Sequence, residues 1–334
     1  MEHRWSPFRQ FLANKSTILI TTHLNPDGDA LGSELALAHY LREVGKRVFI
    51  INSDPLPHFL HFLTDDVHIE QFSGERHAGI IDHCDGCIVV DVSEWKRLGE
   101  ISTLIKARAL PIACIDHHLS AGKLGDIQVL DEYASSTGEL IYDFLKTVKA
   151  NFSQSVVDAL YTCILTDTGS FKFSNTTAQT HFIAANLLGM GAHFERIYAE
   201  LYESDSKSRT LLKGHLLADM KFECDDRFVW FVLSQELLKK TGAHLWEAEG
   251  FSDLARPIKG VEMSIMFSES KDGLCKASFR SKGKIPIHKL AEHFGGGGHK
   301  YAAGASLEWP LREAIEKVIT AAKSYFDQYS CSMI

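Results

Sequence analysis

Acidic and imidazole side chains stand at the ends of separate apolar segments in this chain. His23, Asp27 and Asp29 follow the β-branched run TILITT at 17–22, and Asp91 follows CIVV at 87–90. Asp116, His117 and His118 follow IACI at 112–115, and Asp167 closes the amphipathic stretch 156–165. Carboxylates and imidazoles without thiolate suit Mn²⁺ or Mg²⁺, with Co²⁺, Fe²⁺ and Zn²⁺ as alternatives. Asp27 and Asp29 are one residue apart on what reads as a tight loop, so their carboxylates can address two neighbouring ions. Gly28 between them would remove a crowding Cβ from such a turn. Six of these eight side chains as ligands are already too many for one ion that must keep an open position. They fit two ions about 3.5–4 Å apart that share a bridging carboxylate. Such a pair clamps a phosphoryl oxygen and activates a water for in-line attack on phosphorus. Taken singly, each element reads as a solvated ion pair or as turn chemistry. Taken together they do not, because burying Asp91 behind two valines is costly without a cation.

The elements that must carry these residues follow from hydrophobic periodicity. Residues 17–22 read as a buried strand. Leu31, Leu35, Ala38 and Leu41 then share one helical face, Gly45 supplies a C-cap, and 47–51 is a second strand. That strand–helix–strand order implies a parallel sheet. Open α/β sheets bind ligands at the carboxyl ends of their strands, where the strand order reverses. Three strands and one helix here end on potential ligands at that edge. Helical spacing continues over 138–148, 156–165 and 177–188. The expected fold is α/β: a parallel-sheet domain over 1–190 with helices on both faces, and a helical linker over 191–220. A smaller mixed α/β domain over 221–334 follows. In that second domain 228–233, 260–267 and 274–281 read as strands, and 287–294 and 311–326 as helices.

Composition narrows the setting. The 334 residues carry 35 Lys+Arg against 43 Asp+Glu, a formal charge of −8, with 45% apolar residues. An acidic protein does not coat long nucleic acid, although a local basic pocket can hold a small phosphate-rich molecule. No apolar run approaches a bilayer span, and MEHRWSPFRQ lacks the order of a secretory signal. Seven scattered Cys suit a reducing cytoplasm.

Such a pocket is visible between 276 and 300, where six Lys/Arg face one acid, Glu292. The four glycines at 295–298 expose backbone N–H groups, and a loop of this kind running into a helix N-terminus is an anion site. Weaker signals are Cys84-x-x-Cys87, more often incidental than metal-binding, and the hydroxyls of 135–137, ordinary N-cap material. Phe171 and Phe173 suit base stacking and core packing equally.

THLNPDGDALGS, VVDVS, IDHH and TDTGSF, in this order, resemble the four signature motifs of the DHH phosphoesterase superfamily. GGGGHKYAAGA, preceded by SFRSKG at 278–283, resembles the DHH-associated C-terminal domain. By length and domain order the chain is most similar to the nanoRNase/pAp phosphatase (NrnA-like) branch, which includes exopolyphosphatase-related proteins. The resemblance implies two Mn²⁺ ions, with Mg²⁺ or Co²⁺ as substitutes. His23 and Asp27 would hold one, Asp29, His117 and Asp167 the other, and Asp91 would bridge them. Asp116 would orient His117, and His118 would face the substrate phosphate and stabilise charge or protonate the leaving oxygen. In the second domain Arg280, Ser281, Gly296, Gly297, Gly298 and His299 would bind the substrate. The implied substrates are short single-stranded oligonucleotides and pAp. The alternatives are a cyclic dinucleotide or pGpG, then pyrophosphate or polyphosphate, or a nucleotide sensor without turnover. No membrane partner is expected, and an exposed edge or helix of the first domain could support a homodimer.

Overall fold

The computed structural model describes residues 2–64, 67–118 and 124–330. It divides into two compact units, Met1–Ser204 and Asp205–Ile334, with the division inside the expected connector.

The first unit runs α1 (Glu2–Ala13), β1 (Thr17–Thr21), α2 (Gly28–Glu43), β2 (Arg47–Asn52), β3 (Ile69–Gln71), α3 (Gly74–Asp82) and β4 (Gly86–Val90). It continues with α4 (Ile101–Ala107), β5 (Ile112–Asp116), β6 (Ile127–Leu130), α5 (Thr137–Thr147), α6 (Gln154–Asp167), α7 (Ala178–Gly189) and α8 (Phe194–Tyr202). Its sheet has the order β3-β2-β1-β4-β5-β6, and all five pairings are parallel. The order reverses between β1 and β4. GCIVV and IACID are buried along their whole length because helices cover both faces of the sheet. Alternation along β1 shows this: Ile18 and Ile20 join one apolar cluster with Leu31, Phe144 and Leu160, while Leu19 joins another with Val89, Ile101 and Ile105.

Two features depart from the sequence reading. Helix α1, which periodicity did not indicate, anchors Trp5 and Phe8 on Phe144 at ring distances of 5.1 and 5.0 Å. Helix α2 begins at Gly28, three residues before the apolar face starts. Asp27 is its N-cap, the Oδ1 accepting from the N–H of Asp29 and Ala30 at 3.0 Å. The expected tight loop is therefore a first helical turn. Gly28 serves a different need, since a Cβ there would lie 2.5 Å from Thr166 Cγ2 on α6.

The second unit comprises α9 (Lys207–Ala218), β7 (Lys221–Glu223), β8 (Phe228–Leu233), α10 (Gln235–Thr241), β9 (Met263–Glu269) and β10 (Leu274–Ser281). It ends with α11 (His288–His293), β11 (Gly297–His299), β12 (Ala302–Pro310) and α12 (Leu311–Ser330). Its sheet has the order β11-β12-β10-β9-β8-β7, antiparallel except for β8 with β9. Phe267 and Phe279 pack with Val318 and Phe326 of α12 in one cluster, and Phe231 packs with Leu212 and Leu216 of α9 in another. The glycine run corrects the expectation of a helix N-terminus. It follows the C-terminus of α11, where the N–H groups of Gly295 and Gly296 donate to Glu292 O and Ala291 O. It then enters β11, paired with β12, where Gly298 has φ +141° and a Cβ would lie 2.6 Å from Ala303 Cα.

Candidate functional site

The carboxyl ends of β1, β4 and β5 and the end of α6 bring the acidic and imidazole residues of the first unit together at the reversal of strand order. Three groups form in which one ligand atom of each residue lies within 4.8 Å of the others: His23 with Asp27 and Asp91, Asp29 with His117 and Asp167, and Asp91 with His117 and His118. Asp91 belongs to two of these clusters through different oxygens. Its Oδ2 lies 3.2 Å from His23 Nε2, while its Oδ1 lies 3.6 Å from His117 Nε2. This carboxylate therefore faces both halves of the centre. The backbone of Asp91 has φ +60°, a left-handed conformation that L residues adopt at a cost.

The ring of His117 shows what the site is built to hold. Its Nδ1 donates to Ala134 O at 3.2 Å, which in the neutral imidazole places the lone pair on Nε2. That nitrogen is buried without a hydrogen-bond partner. Around it stand Asp167 Oδ2 at 3.5 Å, Asp91 Oδ1 at 3.6 Å and Asp29 Oδ2 at 3.7 Å. A lone pair among carboxylate oxygens is a cage for a cation. His23 is turned the same way but is partnered, with Nδ1 donating to Leu24 O at 2.8 Å and Nε2 hydrogen-bonded to Asp91 Oδ2 at 3.2 Å.

The electrostatics agree. Burial, reinforced by the charges of Asp91, Asp167 and Asp27, pushes the Asp29 carboxyl well above its ordinary range. Burial likewise pushes Asp167 up to about 6, with His117 opposing and Asp91 adding to the rise. For Asp91 burial acts upward, but the His23 hydrogen bond and the surrounding imidazoles hold it below the usual value. Crowded carboxylates that resist ionising together are what divalent cations relieve. The residues fit a metal group.

Further residues hold the cage in place. Asp29 accepts from the N–H of Thr137 at 2.7 Å and of Gly138 at 2.9 Å, at the N-terminus of α5. Gly138 must lack a Cβ because Cys163 of α6 occupies that space. Ser136 is the N-cap of α5, its Oγ accepting from Glu139 N–H at 3.1 Å, whereas Thr137 Oγ1 donates to Asp91 Oδ1 at 2.9 Å. Asn175 Nδ2 donates to Asp167 Oδ2 at 3.2 Å and to Ser135 O at 2.9 Å, tying two loops together. Sequence reasoning singled out neither Thr137 for this contact nor Asn175. A second hydroxyl directly after a serine N-cap is the one hint the sequence carries.

Asp116 corrects an expectation. It does not orient His117, whose Nδ1 is taken by Ala134. Its Oδ1 accepts from His118 Nδ1–H at 2.8 Å and from His118 N–H at 3.1 Å, because the chain turns back on itself after β5. That hydrogen bond, outweighing burial, raises His118 to about 9. The His118 side chain is 41% exposed.

In the second unit Arg280 and Ser281, at the end of β10, line an open cleft of about 520 Å³ with Asp253, Arg256, Lys300 and Tyr301. Arg280 Nε donates to Asp253 Oδ2 at 3.1 Å, and Nη1 donates to Phe279 O at 3.0 Å. Ser281 Oγ accepts from the N–H of Gly283 and Ile285, both at 3.3 Å, and keeps its own proton to donate. Gly296, Gly297 and Gly298 are not among the lining residues, and the side chain of His299 lies outside the described residues. Cys84 and Cys87 are buried in an apolar cluster, and burial pushes both thiols up, so neither offers a thiolate. Phe171 packs on His181 at 5.0 Å, while Phe173 is exposed.

Residues 17–165 match the DHH family, N-terminal domain, and residues 230–328 match the DHHA1 domain. A bifunctional oligoribonuclease and PAP phosphatase NrnA from Thermus thermophilus is 30% identical over 93% of this chain and 90% of its own. A Bacillus subtilis protein of the same name is 29% identical over 90% of this chain and 92% of its own. The crystal structure of an exopolyphosphatase-related protein from Bacteroides fragilis superposes with a TM-score of 0.91 at 29% identity, covering 99% of this chain and 98% of that one. Matched in both halves by the family's domains and along its length by such a relative, the chain belongs to the DHH phosphoesterase family.

Proposed function

We propose that the chain hydrolyses short single-stranded oligoribonucleotides to mononucleotides, and pAp to AMP and phosphate, with two divalent cations, Mn²⁺ first and Mg²⁺ or Co²⁺ as substitutes. The observation that carries this is the buried, unpartnered Nε2 of His117 among three carboxylates, with Asp91 turned to both halves of the centre. His23 and Asp27 would hold one ion, Asp29, His117 and Asp167 the other, and Asp91 both. Bound there, the ions supply charge neutralisation on the phosphoryl group and a nucleophilic water.

The chain's own groups do the rest. Asp91 and Asp29 are held by Thr137 and the α5 N-terminus, so the cage is preformed. Asp116 holds the proton of His118 Nδ1, which leaves Nε2–H of the imidazolium to stabilise or protonate the leaving oxygen. Arg280 and Ser281 offer donors to a substrate phosphate. The named activities of the Thermus and Bacillus relatives support the nucleotide substrate. Among the described residues no helix is long and apolar enough to cross a membrane. A cytoplasmic address and a homodimer complete the reading.

A panel of dinucleotide, pAp, cyclic dinucleotide and pyrophosphate under Mn²⁺ tests it. Mononucleotide from the dinucleotide and AMP from pAp are expected as the fastest products. Faster cleavage of the cyclic dinucleotide or of pyrophosphate would overturn the assignment. So would thermal stabilisation by nucleotide without turnover, the behaviour of a sensor.

A further inference from the structure

The cleft of the second unit contains a group that a simple phosphate site does not need. Arg256, Arg280 and Lys300 line it, and so does the carboxylate of Asp253. The two oxygens of that carboxylate are divided between the arginines: Oδ2 accepts from Arg280 Nε at 3.1 Å, and Oδ1 lies 3.7 Å from Arg256 Nη1. The Arg280 guanidinium is further fixed by Nη1 on Phe279 O, and its Nη2 has no partner among the described residues. Asp253 thus stands between the cations that a phosphate would approach. Arg280 is only 26% exposed and Asp253 41%, so their fields are not fully screened by water.

Three cations against one carboxylate match the two negative charges of a single phosphate monoester. A second or third phosphate on the same end brings more negative charge toward Asp253, which the arginines hold in place and cannot be neutralised further. We propose that Asp253 is a specificity-determining residue that restricts this cleft to substrates ending in one phosphate and disfavours di- and triphosphate ends. The inference rests on the nucleotide reading above and deepens it. It names the charge state of the end that is accepted, which suits mononucleotide products and pAp alike.

The test separates the two claims by reading binding without turnover. The full-length chain in EDTA is titrated calorimetrically with AMP, ADP and ATP, alongside Asp253→Asn and Arg280→Ala. Asparagine keeps an oxygen for Arg280 Nε, removes the charge and turns an amide in place of the second oxygen toward Arg256. The parent is expected to bind AMP about tenfold more tightly than ATP, with ADP between them. Asp253→Asn is expected to bring the ratio to within about threefold, and Arg280→Ala to weaken AMP binding about tenfold. ATP binding as tightly as AMP to the parent would overturn the proposal. An unchanged ratio in Asp253→Asn, or AMP binding as tight in Arg280→Ala as in the parent, would overturn it too. None of these outcomes depends on whether the Mn²⁺-loaded chain turns over dinucleotides, which the substrate panel decides.

Discussion

The first unit gathers negative charge and the second gathers positive charge, and the two do so by different means. In the first, the ligands are fixed by backbone and Asp29, Asp91 and Asp116 are buried: strand ends carry His23, Asp91 and Asp116, and helix N-termini hold Asp27 and Asp29. In the second, Arg280 and Arg256 lie on an open cleft and are held mainly by one half-exposed side chain, Asp253. Ligands of a cation must meet within a few tenths of an ångström, and only backbone-anchored positions deliver that. A phosphate dianion accepts cations over a wider range of distance and angle. Damage in the first unit therefore falls on the chemical step, and damage in the second on binding.

Asp91→Ala tests that contrast most severely. The bridge to both halves is lost, and Mn²⁺-dependent turnover of a dinucleotide is expected to fall by about a thousandfold or more. EDTA should impose the same loss on the parent and Mn²⁺ restore it, whereas residual activity within tenfold of the parent would break the comparison. Thr137→Val, which removes the hydroxyl donor to Asp91, is expected to cost about 10–100-fold in apparent Mn²⁺ affinity, read by metal titration of activity. Arg280→Ala should raise KM about tenfold while leaving kcat and Mn²⁺ affinity close to the parent's. An effect on kcat alone would show that the second unit acts on the chemical step.

The smallest effect separates a buried acid outside the centre from those inside it. Burial pushes Glu34 of α2 up to about 8, only partly offset by the hydrogen bond from Asn52 Nδ2 at 2.8 Å. The unfolded chain releases this proton near pH 4.5 and the folded chain near 8. Stability is therefore lost as pH rises through that window and is level above it. Glu34→Gln should remove this slope, raising Tm relative to the parent by a few degrees at pH 8.5 and by nothing at pH 4. Parallel Tm curves for the two proteins across that range would show that Glu34 is not held protonated.

The residues legible in the sequence are those whose position is dictated by the ends of apolar runs. A buried parallel strand must end where its run of Ile and Val ends, so His23, Asp91 and Asp116 announced themselves. Contacts made across the fold did not. Thr137 reads as cap material because the serine before it is a cap, and its contact with Asp91 exists only once β4 and α5 meet. The family resemblance implies Asp116 beside His117, whereas the turn after β5 brings it to His118. Strand β12 was missed because AAGAS has low β-propensity, and small residues there are what let the glycines of β11 approach. Helix α1 carries Pro7 within its span, which obscures its helical spacing.

The chemistry depends on a cage for a pair of cations that meet at Asp91. Counting Mn²⁺ bound per full-length chain by calorimetric titration, in the parent and in Asp91→Asn, addresses this most directly. Two ions per chain in the parent, with at least one lost or weakened more than about a hundredfold in the variant, are expected. Saturation of the parent at one ion or none, or an unaltered count and affinity in Asp91→Asn, would contradict it.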